Sequence, residues 1–118
     1  MKHSELKGFF KDDRGEIEDL LVTDKGAVTF ITFKKGAVRW NHYHNETIQV
    51  DFVLSGRLQL EMPYSSRELK GGDTQRIMPK VAHAYKALED SDMVSCVYGP
   101  RKGKDYAADT FKLETPLC

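Results

Sequence analysis

Three histidines and one glutamine have types and spacing that suit metal ligation. His42 and His44 are separated by one residue, Gln49 follows five positions later, and His83 comes after Pro79. Side chains two apart on an extended strand project to one face, about 6.5 Å apart at the backbone, so both imidazoles can converge on one ion. Gln49 would offer its amide oxygen from the next strand. The set predicts a site for one divalent transition metal, Zn, Fe, Mn or Ni.

A plainer explanation exists for each of these residues. A His-x-His pair is common by chance, and histidines without a metal can serve as general acids or bases or simply line a pocket. Gln49 is neutral, so the four ligands would carry no formal charge. The ion would then be held more weakly and would be a stronger Lewis acid, which favours an anionic or carbonyl-bearing substrate.

Strands must position these side chains, because helix signals are weak along the chain. Turn residues recur every eight to fifteen positions from Gly15 to Gly103, a rhythm typical of an all-β sandwich or barrel. Four segments rich in β-branched and aromatic residues have strand length: 28–33, 50–54, 58–62 and 93–98. The sequence therefore predicts an all-β fold.

Length and composition indicate one globular domain. The chain has 118 residues, and its 18 basic and 18 acidic side chains cancel and are interspersed, which excludes a basic surface for nucleic acid or a membrane. Cys96 and Cys118 are poorly placed for a disulfide, and the N-terminus lacks the apolar core of a signal peptide. We expect a cytoplasmic protein with a small-molecule partner.

The strand that carries Gln49 also has an apolar outer row. Alternate side chains point to opposite faces, so Gln49 and Asp51 would face the interior while Val50, Phe52 and Leu54 point outward. Such a row is usually covered by another layer. A second subunit or the N-terminal arm would cover it, and we predict a homodimer.

Four further residues are candidates for the same site. Tyr85 shares parity with His83 and could donate a proton, although it could equally pack in the core. Trp40 shares parity with the first two histidines and could stack on a sugar ring, or simply pack. Asp51 could bind substrate or orient a histidine, unless it is an exposed edge charge. Arg76 could bind a phosphate or carboxylate, although most arginines are solvated.

The ligand spacing resembles the two sequence motifs of the cupin superfamily over most of the chain. The first motif usually has glutamate where this chain has Gln49. The second usually reads Pro-x-Gly-x-x-His, and this chain is one residue shorter and lacks the glycine between Pro79 and His83. The resemblance implies a double-stranded β-helix, the cupin jelly-roll barrel, with the metal inside. One domain would span 1–118, with a core of about 26–100, an N-terminal arm of 1–25 and a C-terminal tail of 101–118.

Two further stretches, 13–17 and 39–44, are similar to the openings of cupins from nucleotide-sugar and surface-polysaccharide pathways, such as dTDP-4-dehydrorhamnose 3,5-epimerases and dTDP-sugar 3,4-ketoisomerases. The resemblance implies an isomerase or epimerase of a keto-sugar or similar polar metabolite, with a sugar or nucleotide sugar as substrate. Tyr85 and His83 would be its catalytic residues, and a divalent metal would polarise the carbonyl.

Two alternatives to an isomerase stay open at this point. Three histidines and one oxygen ligand also suit iron in a metal-dependent dioxygenase. A non-catalytic sugar-binding or sensing module would use the same cavity without turnover.

Overall fold

The computed structural model describes residues 10–23, 25–98 and 109–118, which form strands and connecting turns. In chain order the strands are β1 (Phe10–Asp12), β2 (Gly15–Val22), β3 (Gly26–Phe33), β4 (Val38–His44), β5 (Ile48–Ser55), β6 (Arg57–Met62), β7 (Ser65–Lys70), β8 (Thr74–Ile77), β9 (His83–Ala87), β10 (Ser91–Tyr98) and β11 (Thr110–Lys112). No helix in these three segments is long and apolar enough to cross a membrane. The predicted all-β class is confirmed.

The strands form two antiparallel sheets. The six-stranded sheet has the order β1-β2-β3-β10-β5-β8, and the five-stranded sheet has the order β11-β4-β9-β6-β7. From β3 onward the chain alternates between the two sheets, except at the β6–β7 hairpin, so it winds back and forth around a common interior. This arrangement is the predicted double-stranded β-helix, in one domain.

Apolar side chains from both sheets fill one part of the interior. The largest of them are less than 3% exposed: Ile31, Phe33, Val53, Leu58, Leu60, Leu69, Ile77, Tyr85 and Met93. Burial of each such side chain contributes about 1.5–3 kcal/mol to folding. The rest of the interior is lined by polar side chains and holds the candidate site.

The segments predicted as an N-terminal arm and a C-terminal tail both contribute strands. β2 pairs with β3 from Ile17 to Val22, and β11 pairs with β4 from Thr110 to Lys112. The part of the predicted tail at 101–108 lies outside the described residues. Each sheet therefore includes a strand from outside the predicted core of 26–100.

A bulge in β4 sets which side chains reach the interior. Trp40 has a φ of 67°, and the pairing of β4 with β9 shifts between Arg39 and His42. A positive φ is a strained conformation for a bulky residue. The extra residue lets two side chains three positions apart both face inward: Arg39 over the Phe33 ring at 5.3 Å, and His42 into the site.

Two glycines with nearly equal φ differ in the space around them. Gly36 has a φ of 86° and nothing within 4 Å of an added Cβ, whereas at Gly56, with a φ of 87°, that Cβ would overlap the Asp90 carbonyl oxygen and Ser91. We expect Gly36→Ala to lose about 1 kcal/mol of unfolding free energy through backbone strain. Gly56→Ala should lose a further ~1–3 kcal/mol through the overlap. Urea unfolding of both variants measures the difference, and equal losses would contradict the packing at Gly56.

Candidate metal centre

Three strands bring the predicted ligands together. β4 carries His42 and His44 on its inward face, and His83, the first residue of β9, lies directly across from His42 in the sheet pairing. Gln49 comes from β5 in the opposite sheet. The antiparallel β4–β9 pairing thus places two imidazoles side by side, and the sheet-on-sheet packing brings the amide towards them.

The three imidazoles form a compact cluster. Their potential ligand nitrogens all lie within 4.8 Å of one another. The ring centroids are 4.8 Å apart for His42 and His44, 4.6 Å for His42 and His83, and 5.6 Å for His44 and His83. His44 and His83 are buried and His42 is half-buried. The cluster could therefore hold a metal ion that remains reachable from one side.

Hydrogen bonds determine which nitrogens carry protons. His44 Nδ1 lies 3.1 Å from the Asp109 carbonyl oxygen, and His83 Nδ1 lies 2.9 Å from the Val81 carbonyl oxygen. Because a carbonyl only accepts, His83 Nδ1 donates, and Nε2 of its neutral ring is left with a lone pair. His44 Nδ1 also lies 3.3 Å from the Thr110 hydroxyl, and in the His44 tautomer that carries the proton on Nδ1, Nε2 is likewise left with a lone pair. Among the described residues, the buried Nε2 atoms of His42 and His83 have no hydrogen-bond partner.

The fourth donor atom is held in place by a buried carboxylate. Gln49 Nε2 donates to both Asp51 oxygens, at 3.0 and 2.9 Å, which turns Oε1 towards His44 Nε2 at 3.3 Å. When the His44 proton is on Nδ1, neither of these two facing atoms carries a proton, whereas in the other tautomer His44 Nε2 donates to Gln49 Oε1. A divalent cation satisfies such an arrangement of lone pairs, so the donor set fits a metal.

Burial keeps the imidazoles of His42 and His83 neutral at physiological pH. It lowers the pKa of His42 to about 3, with smaller contributions from the neighbouring His83 and His44. Burial also lowers the pKa of His83 to about 4, opposed by its hydrogen bond to Val81. A metal that binds here therefore displaces no proton from either ring, which favours binding near neutral pH.

Asp51 and Tyr85 form a buried pair behind the glutamine. The Tyr85 hydroxyl donates to Asp51 Oδ2 at 2.5 Å, and both side chains are 0% exposed. Burial raises the pKa of Asp51 to about 6, opposed by hydrogen bonds from Tyr85, Ser95 and Gln49. Burial and the nearby carboxylate raise the pKa of Tyr85 well above its ordinary value, so the hydroxyl keeps its proton.

A cavity of about 390 Å³ opens beside the imidazoles, between the two sheets. Its lining includes Ile17, Thr29, Ile31, Trp40, His42, His44, Gln49, Ser95, Val97 and Thr110. A second depression, of about 350 Å³, shares Trp40, His42 and Thr110 with the first and adds Arg14 and Lys112. The site thus has room for a small molecule. At its rim lie Lys112 and Arg14, whose guanidinium forms an ion pair with Asp12.

Of the other predicted site residues, Trp40 lines the cavity, whereas Tyr85, Asp51 and Arg76 do not. Trp40 lines the cavity, and its ring is stacked at 20° on His42. Tyr85 and Asp51 form a hydrogen bond with each other and do not line the cavity. These contacts do not match the predictions that Tyr85 donates a proton to substrate and that Asp51 contacts substrate or a histidine. Arg76 is exposed and pairs with Val50 on the outer face of β8, away from the cavity. Its position does not fit a role in substrate binding.

Asp109 supports the site and was not among the predicted residues. Its carboxylate accepts hydrogen bonds from the backbone nitrogens of Asn45, Glu46 and Thr47, at 2.9–3.2 Å, while its carbonyl accepts from His44. The turn between β4 and β5 is thereby held beside two ligands. No local sequence pattern predicts this contact, because it joins positions more than sixty residues apart.

The fold and the histidine cluster together define a cupin. The cupin domain model matches residues 29–98, and the chain belongs to this family. A pectin degradation protein, KdgF of Dickeya dadantii (strain 3937), is 24% identical over 106 residues, which cover 82% of this chain and 96% of the relative.

Solved structures give the same fold. KdgF from Halomonas sp. has a TM-score of 0.70 at 22% identity and covers 85% of this chain and 92% of its own. CapF, a capsular polysaccharide assembling protein from Staphylococcus aureus, has a TM-score of 0.72 at 24% identity, over 91% of this chain and 34% of CapF. An RmlC-like cupin from Shewanella frigidimarina NCIMB 400 has a TM-score of 0.71 at 17% identity, over 86% of this chain and 90% of its own. At these identities the likeness concerns the fold.

Removal of one imidazole should abolish tight metal binding. We expect EDTA-treated protein to bind one equivalent of Zn²⁺ or Mn²⁺ in calorimetry, and His42→Gln to bind it more than about 100-fold more weakly, a larger loss than for residues that only orient ligands. Tyr43→Phe, one position along β4, is the matched control and should bind as the native protein does. Equal affinities for His42→Gln and the control would contradict the site.

The orientation of the Gln49 amide should depend on Asp51. In Asp51→Asn, we expect the Tyr85 hydroxyl to donate to the one side-chain oxygen that remains at this position. The new amide group then donates to Gln49, whose Oε1 turns away from His44, and metal affinity should fall about 10–100-fold. Adding Gln49→Glu should restore it, since a carboxylate presents oxygen to both sides. Calorimetry on the two single variants and the double variant measures this coupling, and unchanged affinity in Asp51→Asn would contradict the assignment.

Proposed function

We propose that this cupin is a divalent-metal-dependent isomerase or epimerase of a keto-sugar or similar polar metabolite. The observation that carries the proposal is the convergence of three imidazole nitrogens and one amide oxygen beside a cavity large enough for a monosaccharide. All four donors are neutral, so a bound divalent ion keeps its full charge. Such an ion polarises a carbonyl oxygen.

The ligands in this proposal are His42, His44, Gln49 and His83. Trp40 presents a flat wall at the cavity, suited to stacking on a sugar ring. The apolar lining opposite, from Ile17, Ile31 and Val97, limits access of water to the reacting carbon.

Ser95 is the group through which we expect a proton to pass. It lines the cavity, and its side chain hydrogen-bonds Asp51, which is otherwise shielded from the cavity. Ser95 Oγ can therefore take a proton from substrate while it gives its own to the Asp51 carboxylate. Tyr85, which donates to the same carboxylate, stabilises its charged form and orients it.

The substrate class draws on two relatives. KdgF is named for pectin degradation and CapF for capsular polysaccharide assembly, and both names concern carbohydrate. Lys112 at the rim, beside an Arg14 guanidinium that is paired with Asp12, adds a preference for an acidic or phosphorylated sugar. The cytoplasmic location stays a prediction.

Proton exchange with solvent tests the proposed reaction. Metal-loaded protein in D₂O is incubated with a panel of keto-sugars, acidic sugars and nucleotide sugars, and NMR follows deuterium uptake at the carbon beside the carbonyl. We expect exchange with at least one class, lost on chelation. Ser95→Ala should lower the exchange rate about 100-fold while the metal affinity stays within a few-fold of native.

Two results would replace this proposal with another. Oxygen uptake by the iron-loaded protein with any of these substrates, without deuterium exchange, would indicate a dioxygenase. Saturable sugar binding in calorimetry without either reaction would indicate a binding module. A metal-loaded protein that neither exchanges protons nor binds any member of the panel would contradict the carbohydrate assignment.

A further inference from the structure

The outer face of the six-stranded sheet is apolar across its central strands. β3, β10 and β5 lie side by side, and the inward residues of these strands, such as Gln49 and Ser95, line the candidate site. Their outward residues are mostly hydrophobic and at least partly exposed: Val28, Phe30, Val50, Phe52, Leu54, Val94, Cys96 and Tyr98. A polar outer face would be expected if solvent covered it.

Two central rows of this face, from β3 to β5, are symmetric about β10. In one row Val94 lies between Phe30 on β3 and Phe52 on β5. In the next row Cys96 lies between two valines, one from each of the same strands. A two-fold rotation about an axis along β10 therefore exchanges phenylalanine with phenylalanine and valine with valine. A self-complementary surface of this kind is what an isologous dimer requires.

A protrusion and a depression are related by the same rotation. Met78 follows β8 at one edge of the face and is 48% exposed. At the opposite edge a depression of about 230 Å³ lies among Leu21, Val28, Cys96 and Tyr98. Both features lie at the level of Tyr98, where β10 ends. Tyr98 pairs with Gly26, beside the depression, and with Ile48 on β5. The next residue of β5, Gln49, pairs with Ile77, the neighbour of Met78. In a two-fold pair, each Met78 side chain would meet the depression of the other copy.

We propose that two copies of this chain pack through this face, with a two-fold axis that runs along β10, over Val94 and Cys96. Strand spacing and rise give the face from β2 to β8 a projected area of roughly 450 Å². Side-chain relief raises the accessible area above this projection, towards the ~800 Å² per partner of a standard interface. The formal net charge of zero offers no long-range repulsion between copies.

The axis makes a charge-swap experiment decisive. Because Val94 lies beside the axis, each copy of Val94→Lys would place its charge against the same charge of the partner, and so would Val94→Asp. Light scattering after size-exclusion chromatography and sedimentation should give a dimer for the native protein. We expect each single variant to dimerise at least 100-fold more weakly, and an equimolar mixture of the two to recover the dimer.

Controls separate loss of pairing from loss of fold. Glu68→Lys reverses a charge on the exposed face of the other sheet, and this variant should remain dimeric. Circular dichroism and metal titration should show that both Val94 variants keep the native sheet and the ligand cluster, which also keeps this test independent of the proposed reaction. In a Cys118→Ser background, a short bismaleimide should join two chains through Cys96. A monomeric native protein, a dimeric Val94→Lys, or a mixture that stays monomeric would overturn the proposal.

Discussion

In the His44 tautomer that can bind a metal, the site depends on four acceptor atoms that face one another without a proton between them. Lone pairs at such distances repel, and hydrogen bonds from behind hold three of the four donor groups, while the Trp40 ring stacks on the fourth, His42. The Val81 and Asp109 carbonyls hold two imidazoles through Nδ1, and Asp51 holds the Gln49 amide. The polar half of the interior is consequently arranged around the orientation of these donors, and the apolar half supplies the rigidity that keeps them there.

The negative charge in this cupin lies behind the ligands. Where the first motif usually has glutamate, Gln49 is neutral, and the carboxylate of Asp51 contacts it through the amide group. Two donors besides Gln49, Tyr85 and Ser95, hydrogen-bond that buried charge. The carboxylate can therefore influence a bound ion electrostatically without occupying a coordination position, which remains open to substrate.

Residue types and spacing predicted the all-β class and the histidine cluster, and the resemblance to the cupin motifs added the double-stranded β-helix. Both follow from local patterns: alternation within a strand, turn residues between strands, and motif spacing. Parity could not predict the backbone of Trp40, because a bulge changes which side chains face inward without any glycine to mark it. It also could not tell that the Tyr85 hydroxyl points at Asp51, or that Arg76 lies on the outer face, since both depend on contacts between distant strands.

Asp109 has a consequence for how the protein folds. Its carboxylate closes a loop of more than sixty residues onto the turn at Asn45 to Thr47. Contacts of such high sequence separation form late, because the chain entropy of closing the loop must be lost before the hydrogen bonds form. During synthesis, all three clustered histidines leave the ribosome before the carboxylate that secures their turn. A nascent chain would therefore bind a metal ion loosely at first, and more tightly only once β11 pairs with β4.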